Sequence, residues 1–218
     1  MQKTAILFGA TGLIGGALLR QLLDNPAYGR VIAVTRRNLP VEHPNFVQLI
    51  ADLQSITKIE KQLIADDVFC CLGTTKKKTP DLAAYYQIDH DYPLAVAQLT
   101  KRNGARAFLL VSAIGANPRS ANFYLRMKGE TERDISAVNF DGLHIFRPSL
   151  LTGQRQEHRA LESFSERVFN VINPLLVGRM KRYRSIPATA VAKAMNSVAQ
   201  RHTKGRFIYY WDDIKNVV

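Results

Sequence analysis

Three side chains of complementary chemistry follow one another in the middle of the chain: Ser112, Tyr124 and, four residues later, Lys128. Residues four apart on a helix share one face, so the Tyr124 phenol and the Lys128 ammonium would be neighbours. A free phenol has a pKa of about 10, and a nearby ammonium lowers the pKa of a phenol by favouring its ionised form. Tyr124 could then exchange a proton with a carbonyl or an alcohol near neutral pH, while Ser112 hydrogen-bonds the same oxygen.

The spacing of Tyr124 and Lys128 is weak evidence by itself, because a chain with eight tyrosines and many lysines forms such pairs by chance. Their position is more informative, since the pair follows a serine at a predicted strand end and lies downstream of a glycine-rich turn. We therefore predict that Ser112, Tyr124 and Lys128 form a catalytic set. The alternative is an exposed Tyr–Lys pair on an ordinary helix.

Glycines recur at positions 9, 12 and 15, in a segment that follows an apolar run and opens a helical pattern. Glycine permits a tight strand-to-helix turn, lets backbone amides approach a pyrophosphate, and lets the helix pack closely on the strand. The N-terminus of that helix then offers free N–H groups to the phosphates. The pattern predicts a dinucleotide-binding loop rather than a plain structural turn.

The second predicted strand ends in Thr35-Arg36-Arg37. Proteins that bind NAD usually carry a carboxylate there for the ribose hydroxyl. Guanidinium groups instead attract a 2′-phosphate and bind it through two parallel hydrogen bonds. The sequence therefore predicts NADP(H) as the cofactor, and the alternative is that both arginines are simply solvated.

Further cofactor contacts are predicted from position at the strand ends. Asp52, after the third predicted strand, is placed to receive the adenine amino group, and Gly73 and Thr74 follow the fourth strand beneath the cofactor. Lys128 would also hold the ribose. The predicted cofactor-binding residues are Gly9, Thr11, Gly12, Leu13, Ile14, Arg36, Arg37, Asp52, Leu53, Leu72, Gly73, Thr74 and Lys128.

Strand and helix patterns alternate along the chain, and the strands are nearly continuous apolar runs. This combination is typical of an α/β fold with a doubly wound parallel sheet, covered by helices on both faces. We expect residues 1–218 to form one domain, with a small substrate lobe at 151–187. The predicted strands are residues 4–9, 31–35, 46–50, 68–72, 107–111, 143–146 and 207–211, and the predicted helices are 12–23, 81–102, 122–138, 157–172 and 188–201.

The composition limits the classes of protein. With 218 residues, 46% of them hydrophobic, the chain can fill one core. It contains no apolar run of about 18 residues and no signal-peptide pattern, so we expect no membrane span and a cytoplasmic location. The adjacent Cys70 and Cys71 would point to opposite faces of a strand, so no disulfide between them is expected, and no metal-ligand spacing is present.

The net charge of +12 fits binding of an anionic cofactor, but a basic protein can also bind nucleic acid. The basic residues cluster at Lys76-Lys77-Lys78 and at 179–184. No aromatic stacking motif or recognition helix accompanies them, so we interpret both clusters as solvated loops and expect no nucleic-acid partner.

Several motifs taken together resemble the atypical short-chain dehydrogenases/reductases, in particular the Tat-interactive-protein oxidoreductase branch, and the likeness extends to about Met195. The resemblance implies an NADPH-binding Rossmann fold in which Pro148 and the residues after it run beside the nicotinamide. Members of that branch have been described both as oxidoreductases and as regulators of other proteins. The motifs are Gly9 to Gly15, Thr35 to Arg37, Cys71 to Thr75, Ser112, Tyr124 to Glu130 and Phe146 to Pro148.

The chain departs from related families at two places. Classical short-chain enzymes carry an asparagine in the fourth helix, where the matching residue here is Asp89. That difference puts in doubt a proton relay built on the asparagine. The region after residue 150 is shorter than in sugar-nucleotide epimerases, so we do not expect a nucleotide-sugar substrate.

These features lead to two hypotheses. The first is an enzyme that reduces a small carbonyl substrate with NADPH, or oxidises the corresponding alcohol, with Tyr124 as the proton donor, Ser112 orienting the carbonyl and Lys128 tuning the phenol. The second is a non-catalytic NADPH sensor that binds a partner protein. The complete Ser/Tyr/Lys set favours the enzyme, because a sensor needs no proton donor.

Overall fold

A parallel β-sheet forms the centre of the protein. The computed structural model describes residues 2–152 and 176–217. All predicted strands are present, with shifts of up to three residues at their ends. The strands are β1 (Lys3–Phe8), β2 (Tyr28–Thr35), β3 (Phe46–Ile50), β4 (Asp67–Cys70), β5 (Ala107–Val111), β6 (Gly142–Phe146), β7 (Leu151–Thr152), β8 (Ile186–Pro187) and β9 (Gly205–Tyr209).

Helices connect the strands and cover both faces of the sheet. Short 3₁₀ helices span Ile56–Gln62 and Gly178–Tyr183, and a π-helical turn spans Gln87–Asp91. The α-helices are α1 (Leu13–Leu23), α2 (Leu82–Tyr86), α3 (Tyr92–Arg102), α4 (Phe123–Ala137), α5 (Ala188–Ala199) and α6 (Trp211–Asn216).

Seven strands pair in the order β3-β2-β1-β4-β5-β6-β9, and every pairing is parallel. The direction of winding reverses between β1 and β4. In such sheets ligands bind in the crevice at the carboxyl ends of the strands, next to this reversal. The predicted doubly wound α/β fold is therefore confirmed, and the topology identifies the edge of the sheet where a site belongs.

Successive β1 residues supply the two hydrophobic cores. Leu7 belongs to the core that α1, α5 and α6 cover, whereas Ile6 and Phe8 belong to the core beneath α3 and α4. Cys70 lies in the second core and Cys71 packs against the first, and both thiols are free. The alternation follows from the two-residue repeat of a strand, because each β1 side chain faces away from its neighbour.

The helix predicted over 81–102 contains a π-helical turn, and Pro93 lies just after it. Proline has no N–H, so Pro93 cannot donate the α-helical hydrogen bond to the carbonyl of Asp89. The Tyr92 N–H bonds to the Gln87 carbonyl, five residues back. The Asp89 carbonyl lies 3.1 Å from the Thr131 hydroxyl of α4, which also bonds the Met127 carbonyl at 2.8 Å. The turn thereby ties the helix containing Asp89 to α4.

The small lobe predicted at 151–187 is only partly described. Its two ends meet, because β7 pairs in parallel with β8. The helix predicted over 157–172 lies outside the described residues. Among the helices that the structure describes, none is long and apolar enough to cross a lipid bilayer.

Candidate active site

The glycine loop makes the tight turn that its spacing predicts. Gly9 has φ +86°, and a Cβ on it would lie 2.4 Å from the Cys71 carbonyl oxygen at the end of β4. A Cβ on Gly15 would lie 2.1 Å from the Gly9 carbonyl oxygen. Both distances are shorter than any ordinary contact, so these two positions need glycine for the backbone to close on itself.

The start of α1 suits an anionic ligand. Gly12 is its N-cap residue, no side chain caps the helix, and no acidic residue lies in its first turn. The first N–H groups of α1, which have no partner within the helix, and the positive end of the helix dipole therefore lie at the carboxyl edge of the sheet. At this N-terminus Thr11 is exposed and Leu13 is half-buried, whereas Ile14 is buried in the core.

Two basic side chains follow β2 and an acidic one follows β3. Arg36 and Arg37 are both exposed, and neither forms an ion pair with a described carboxylate. Asp52 accepts three hydrogen bonds from Gln54 and Ser55 at Oδ1, which lower its pKa. Leu53 is half-buried and packs against the core beneath α3.

The segment after β4 is fixed by a buried carboxylate. The Thr74 N–H donates to Asp89 Oδ2 at 2.7 Å, and a Cβ on Gly73 would lie 3.3 Å from Asp89 Oδ1. Leu72 is half-buried beside this segment. The backbone of residues 72–74 therefore rests on the π-helical turn that carries Asp89.

Lys128 is buried and paired with the same carboxylate. Its Nζ lies 2.7 Å from Asp89 Oδ1, with 7% of the Lys128 side chain and 1% of the Asp89 side chain exposed. Burial acts to lower the pKa of Lys128, but Asp89 and then Tyr124 act in the opposite direction, and the net effect raises it. Lys128 is therefore a fixed ammonium whose charge is balanced by Asp89.

Tyr124 is in the first turn of α4, where the Asn122 side chain caps the helix by accepting the Leu125 N–H. It is 36% exposed, so solvent has access to it. Its ring stacks on the ring of the buried Tyr85, with centroids 6.3 Å apart. The phenol therefore borders the open edge of the sheet, one helical turn from the ammonium of Lys128.

Ser112 is at the end of β5 but makes a different contact from the one predicted. Its Oγ donates to Glu132 Oε1 at 2.5 Å, and both residues are buried. Arg147 pairs with both oxygens of Glu132, with its Nε 2.9 Å from Oε1, and donates to the Tyr210 hydroxyl. The only proton of Ser112 is thus given to a buried carboxylate.

Close backbone packing holds these parts together. A Cβ on Gly129 would lie 2.2 Å from the backbone of Asn117 and Pro118, so glycine lets the loop after β5 cross α4. The Ile114 N–H donates to the carbonyl of Pro148 at 3.0 Å, which joins the loops after β5 and β6. Pro148 is buried at this junction.

The structure thus brings most of the predicted residues to one edge of the sheet, and it adds partners that the sequence did not reveal. Glu132 was missed altogether, and Arg147 appeared only within a family motif. Glu132 does lie one helical turn after Lys128 on α4, which is the only signal that could have pointed to it. The sequence places Asp89 where classical short-chain enzymes have asparagine, but it does not predict the pairing of Asp89 with Lys128.

The fold and this site define an NAD(P)H-binding Rossmann protein. A family model described as NAD(P)H-binding matches residues 9–201. The chain belongs to that family and, with the proteins HTATIP2 and FMP52, to the atypical short-chain dehydrogenases/reductases.

Two relatives illustrate the degree of likeness. Protein FMP52, mitochondrial, of Candida glabrata is 38% identical over 165 residues, which are 72% of this chain and 67% of that protein. Protein HTATIP2 of Rattus norvegicus is 32% identical over 197 residues, which are 88% of this chain and 79% of that protein.

Solved structures share the fold at low sequence identity. MoeE5 in complex with UDP-glucose and NAD has a TM-score of 0.71 and 17% identity, covering 97% of this chain and 79% of that one. The Bordetella bronchiseptica enzyme WbmH in complex with NAD⁺ has a TM-score of 0.72 and 16% identity, covering 96% and 76%. At such identities the likeness establishes the fold alone.

One prediction from the sequence is overturned by these comparisons. The lack of a signal-peptide pattern predicted a cytoplasmic location, but the FMP52 relatives from three yeasts are named as mitochondrial. The prediction was wrong because a signal-peptide pattern reports only on secretion.

Proposed function

We propose that this protein is an NADPH-dependent oxidoreductase that reduces a small carbonyl compound to an alcohol, or catalyses the reverse reaction. The observation that carries the proposal is the solvent-accessible Tyr124 phenol, one turn from the buried ammonium of Lys128, at the same sheet edge as the glycine loop. A proton donor beside a dinucleotide crevice is the arrangement that carbonyl reduction requires.

The chemistry divides between the cofactor and the chain. When bound, the nicotinamide supplies a hydride to the carbonyl carbon or takes one from the alcohol. Tyr124 gives its proton to the carbonyl oxygen during reduction and takes the proton back during oxidation, so one hydride and one proton are exchanged in each turnover. Lys128 would hold the ribose, and its ammonium, paired with Asp89, lies one helical turn from the phenol. Ser112 orients the carbonyl oxygen only if its O–H turns away from Glu132.

The preference for NADPH is proposed from the end of β2. Arg36 and Arg37 are exposed there and have no described carboxylate partner. The turn is fixed, because the Arg37 carbonyl accepts bonds from both Thr35 and Gln48. Equilibrium titration with both cofactors tests this. We expect Arg36→Ala to weaken NADPH binding by about 10- to 100-fold, the value of a charge-assisted hydrogen bond, and to leave NADH binding unchanged. An equal loss of affinity for NADPH and NADH would contradict the role of Arg36.

Turnover tests the reaction itself. A panel of aldehydes, ketones and quinones is incubated with NADPH and the wild-type protein, Tyr124→Phe, and Tyr86→Phe as the matched control. Tyr86 is a suitable control because its hydroxyl donates to Glu130, outside the site. We expect Tyr124→Phe to lower kcat by about 100- to 10,000-fold, the usual contribution of a general acid.

Two outcomes would count against the enzyme. Turnover unaffected by Tyr124→Phe would remove Tyr124 as the acid. No turnover on any compound, together with tight NADPH binding, would favour the sensor that binds a partner protein.

A further inference from the structure

The Asp89–Lys128 pair is the most deeply buried ion pair beside the candidate active site. The π-helical turn directs Asp89 toward Lys128, and the carboxylate divides its oxygens between two partners: Oδ1 accepts Lys128 Nζ and Oδ2 accepts the Thr74 N–H, each at 2.7 Å. The side chain of Asp89 is therefore held from two sides in one orientation. Removing one partner of such a buried ion pair strongly destabilises the folded protein, because the other charge is left uncompensated.

Within the described part of the chain, four titratable groups face Lys128: Asp89 on the π-helical turn, Tyr124 on its own helix, Cys70 at the end of β4, and Tyr85 on α2. Burial raises the pKa of Cys70 and the pKa of Tyr85 to about 12 in each case, so both are neutral at physiological pH. Among the described residues around Lys128, Asp89 is thus the carboxylate that balances its charge.

We propose that Asp89 is a positioning residue that offsets the charge of Lys128 and thereby keeps Tyr124 protonated, ready to donate to a carbonyl oxygen. The inference rests on the proposed function and assigns a role to the residue that stands where classical short-chain enzymes have asparagine. The proposed role of Asp89 is electrostatic. An ammonium alone would strongly stabilise a neighbouring phenolate, whereas an ammonium paired with a carboxylate at 2.7 Å acts on the phenol mainly as a dipole.

The charge coupling can be measured without turnover, by following tyrosinate absorbance as the pH is raised. The variants are Asp89→Asn, Tyr124→Phe, the two substitutions combined, and Asp89→Glu, each checked for folding by circular dichroism. Subtracting the Tyr124→Phe signal, in the wild type and in Asp89→Asn separately, isolates Tyr124 from the other seven tyrosines. We expect Tyr124 to ionise at a pH lower by about one unit in Asp89→Asn than in the wild type, because the ammonium is no longer balanced.

Asp91→Asn is the matched control. Asp91 lies two residues further along the same π-helical turn, its side chain is 45% exposed, and it contacts His90 rather than Lys128. We expect this variant to titrate like the wild type. Asparagine at position 89 keeps one acceptor oxygen instead of two, so Asp89→Asn should melt at a lower temperature. Asp89→Glu keeps the carboxylate, so we expect its Tyr124 to titrate as in the wild type. This comparison remains available even if Asp89→Asn folds poorly.

Turnover then connects the titration to function. We expect the pH above which carbonyl reduction falls to move down in Asp89→Asn by the same amount as the tyrosinate signal, and to stay in place in Asp91→Asn. An unchanged titration and an unchanged pH profile in Asp89→Asn would overturn the role of Asp89 and leave the proposed function intact. No turnover in the wild type would overturn the proposed function, and the tyrosinate titration would still decide whether Asp89 controls the charge beside Tyr124.

Discussion

The Ser112 hydroxyl illustrates how a residue of the expected type can take an unexpected partner. Its proton is donated to Glu132, which also binds the Arg147 guanidinium. A hydroxyl has one proton to donate, so Ser112 cannot at the same time donate to a substrate carbonyl. In this arrangement its measurable contribution is to the buried network that ties β5, α4 and the end of β6 together.

Ser112→Ala distinguishes the two roles. We expect it to lower the free energy of unfolding by about 1.5–3 kcal/mol, the usual value of a hydrogen bond to a charged group, and to lower kcat far less than Tyr124→Phe does. Urea denaturation and steady-state kinetics measure the two effects. Ser120→Ala is the control, because the Ser120 hydroxyl accepts the Asn122 N–H in an exposed turn and has no charged partner among the described residues. A loss of kcat as large as that of Tyr124→Phe would support a catalytic role for Ser112.

At the scale of elements, α1 shows how close packing overrides helix propensity. Gly15 and Gly16 are adjacent in the same helix, and replacing glycine by alanine in a helix interior ordinarily stabilises it by about 1 kcal/mol. Their surroundings differ. A Cβ on Gly15 would lie 2.1 Å from the Gly9 carbonyl oxygen, whereas one on Gly16 would lie 3.3 Å from the Ala10 carbonyl oxygen.

We therefore expect opposite results from the two alanine substitutions. Gly15→Ala must push the helix away from the glycine turn, at a cost of about 1–3 kcal/mol, and it should weaken NADPH binding because the amides no longer align. Gly16→Ala should fold normally and bind NADPH like the wild type. Thermal unfolding and cofactor titration are the measurements. Wild-type affinity in Gly15→Ala would show that the loop does not hold the phosphates.

At the scale of the whole molecule, a buried histidine links stability to pH. His144 on β6 is 2% exposed, stacks on Phe207 and hydrogen-bonds the Tyr209 hydroxyl at 3.0 Å. Burial lowers its pKa to about 4, below the ordinary value for histidine. The unfolded chain therefore binds a proton at this residue between about pH 6.5 and pH 4 where the folded protein does not, so folding stability falls as the pH falls through this window.

The expected loss is about 2 kcal/mol between pH 7 and pH 5, as long as His144 acts alone. Unfolding free energies measured by urea denaturation at the two pH values test this. His144→Gln removes the titrating ring, so its stability should depend less on pH than that of the wild type. His202→Asn is the control, because His202 is exposed and its φ of 49° suits asparagine. An equal pH dependence in the wild type and His144→Gln would contradict the assignment.

The sequence by itself determined the architecture and much of the site. Alternating apolar runs and helical patterns predicted the sheet, and the glycines at 9, 12 and 15 predicted the turn between β1 and α1. These features depend on residues close together in the chain, where spacing and glycine geometry act directly. The parallel topology then requires the ends of the strands to share one edge, so the residues predicted there did converge.

Only the tertiary structure decided which side chains pair with one another. Asp89 meets Lys128 from a π-helical turn, and Ser112 meets Glu132, which is 20 residues away in the chain. Such pairs depend on how α3, α4 and the strand ends pack, and no local spacing encodes that packing. For the same reason the sequence could propose a phenol beside an ammonium, but only the folded chain revealed the carboxylate that balances the ammonium.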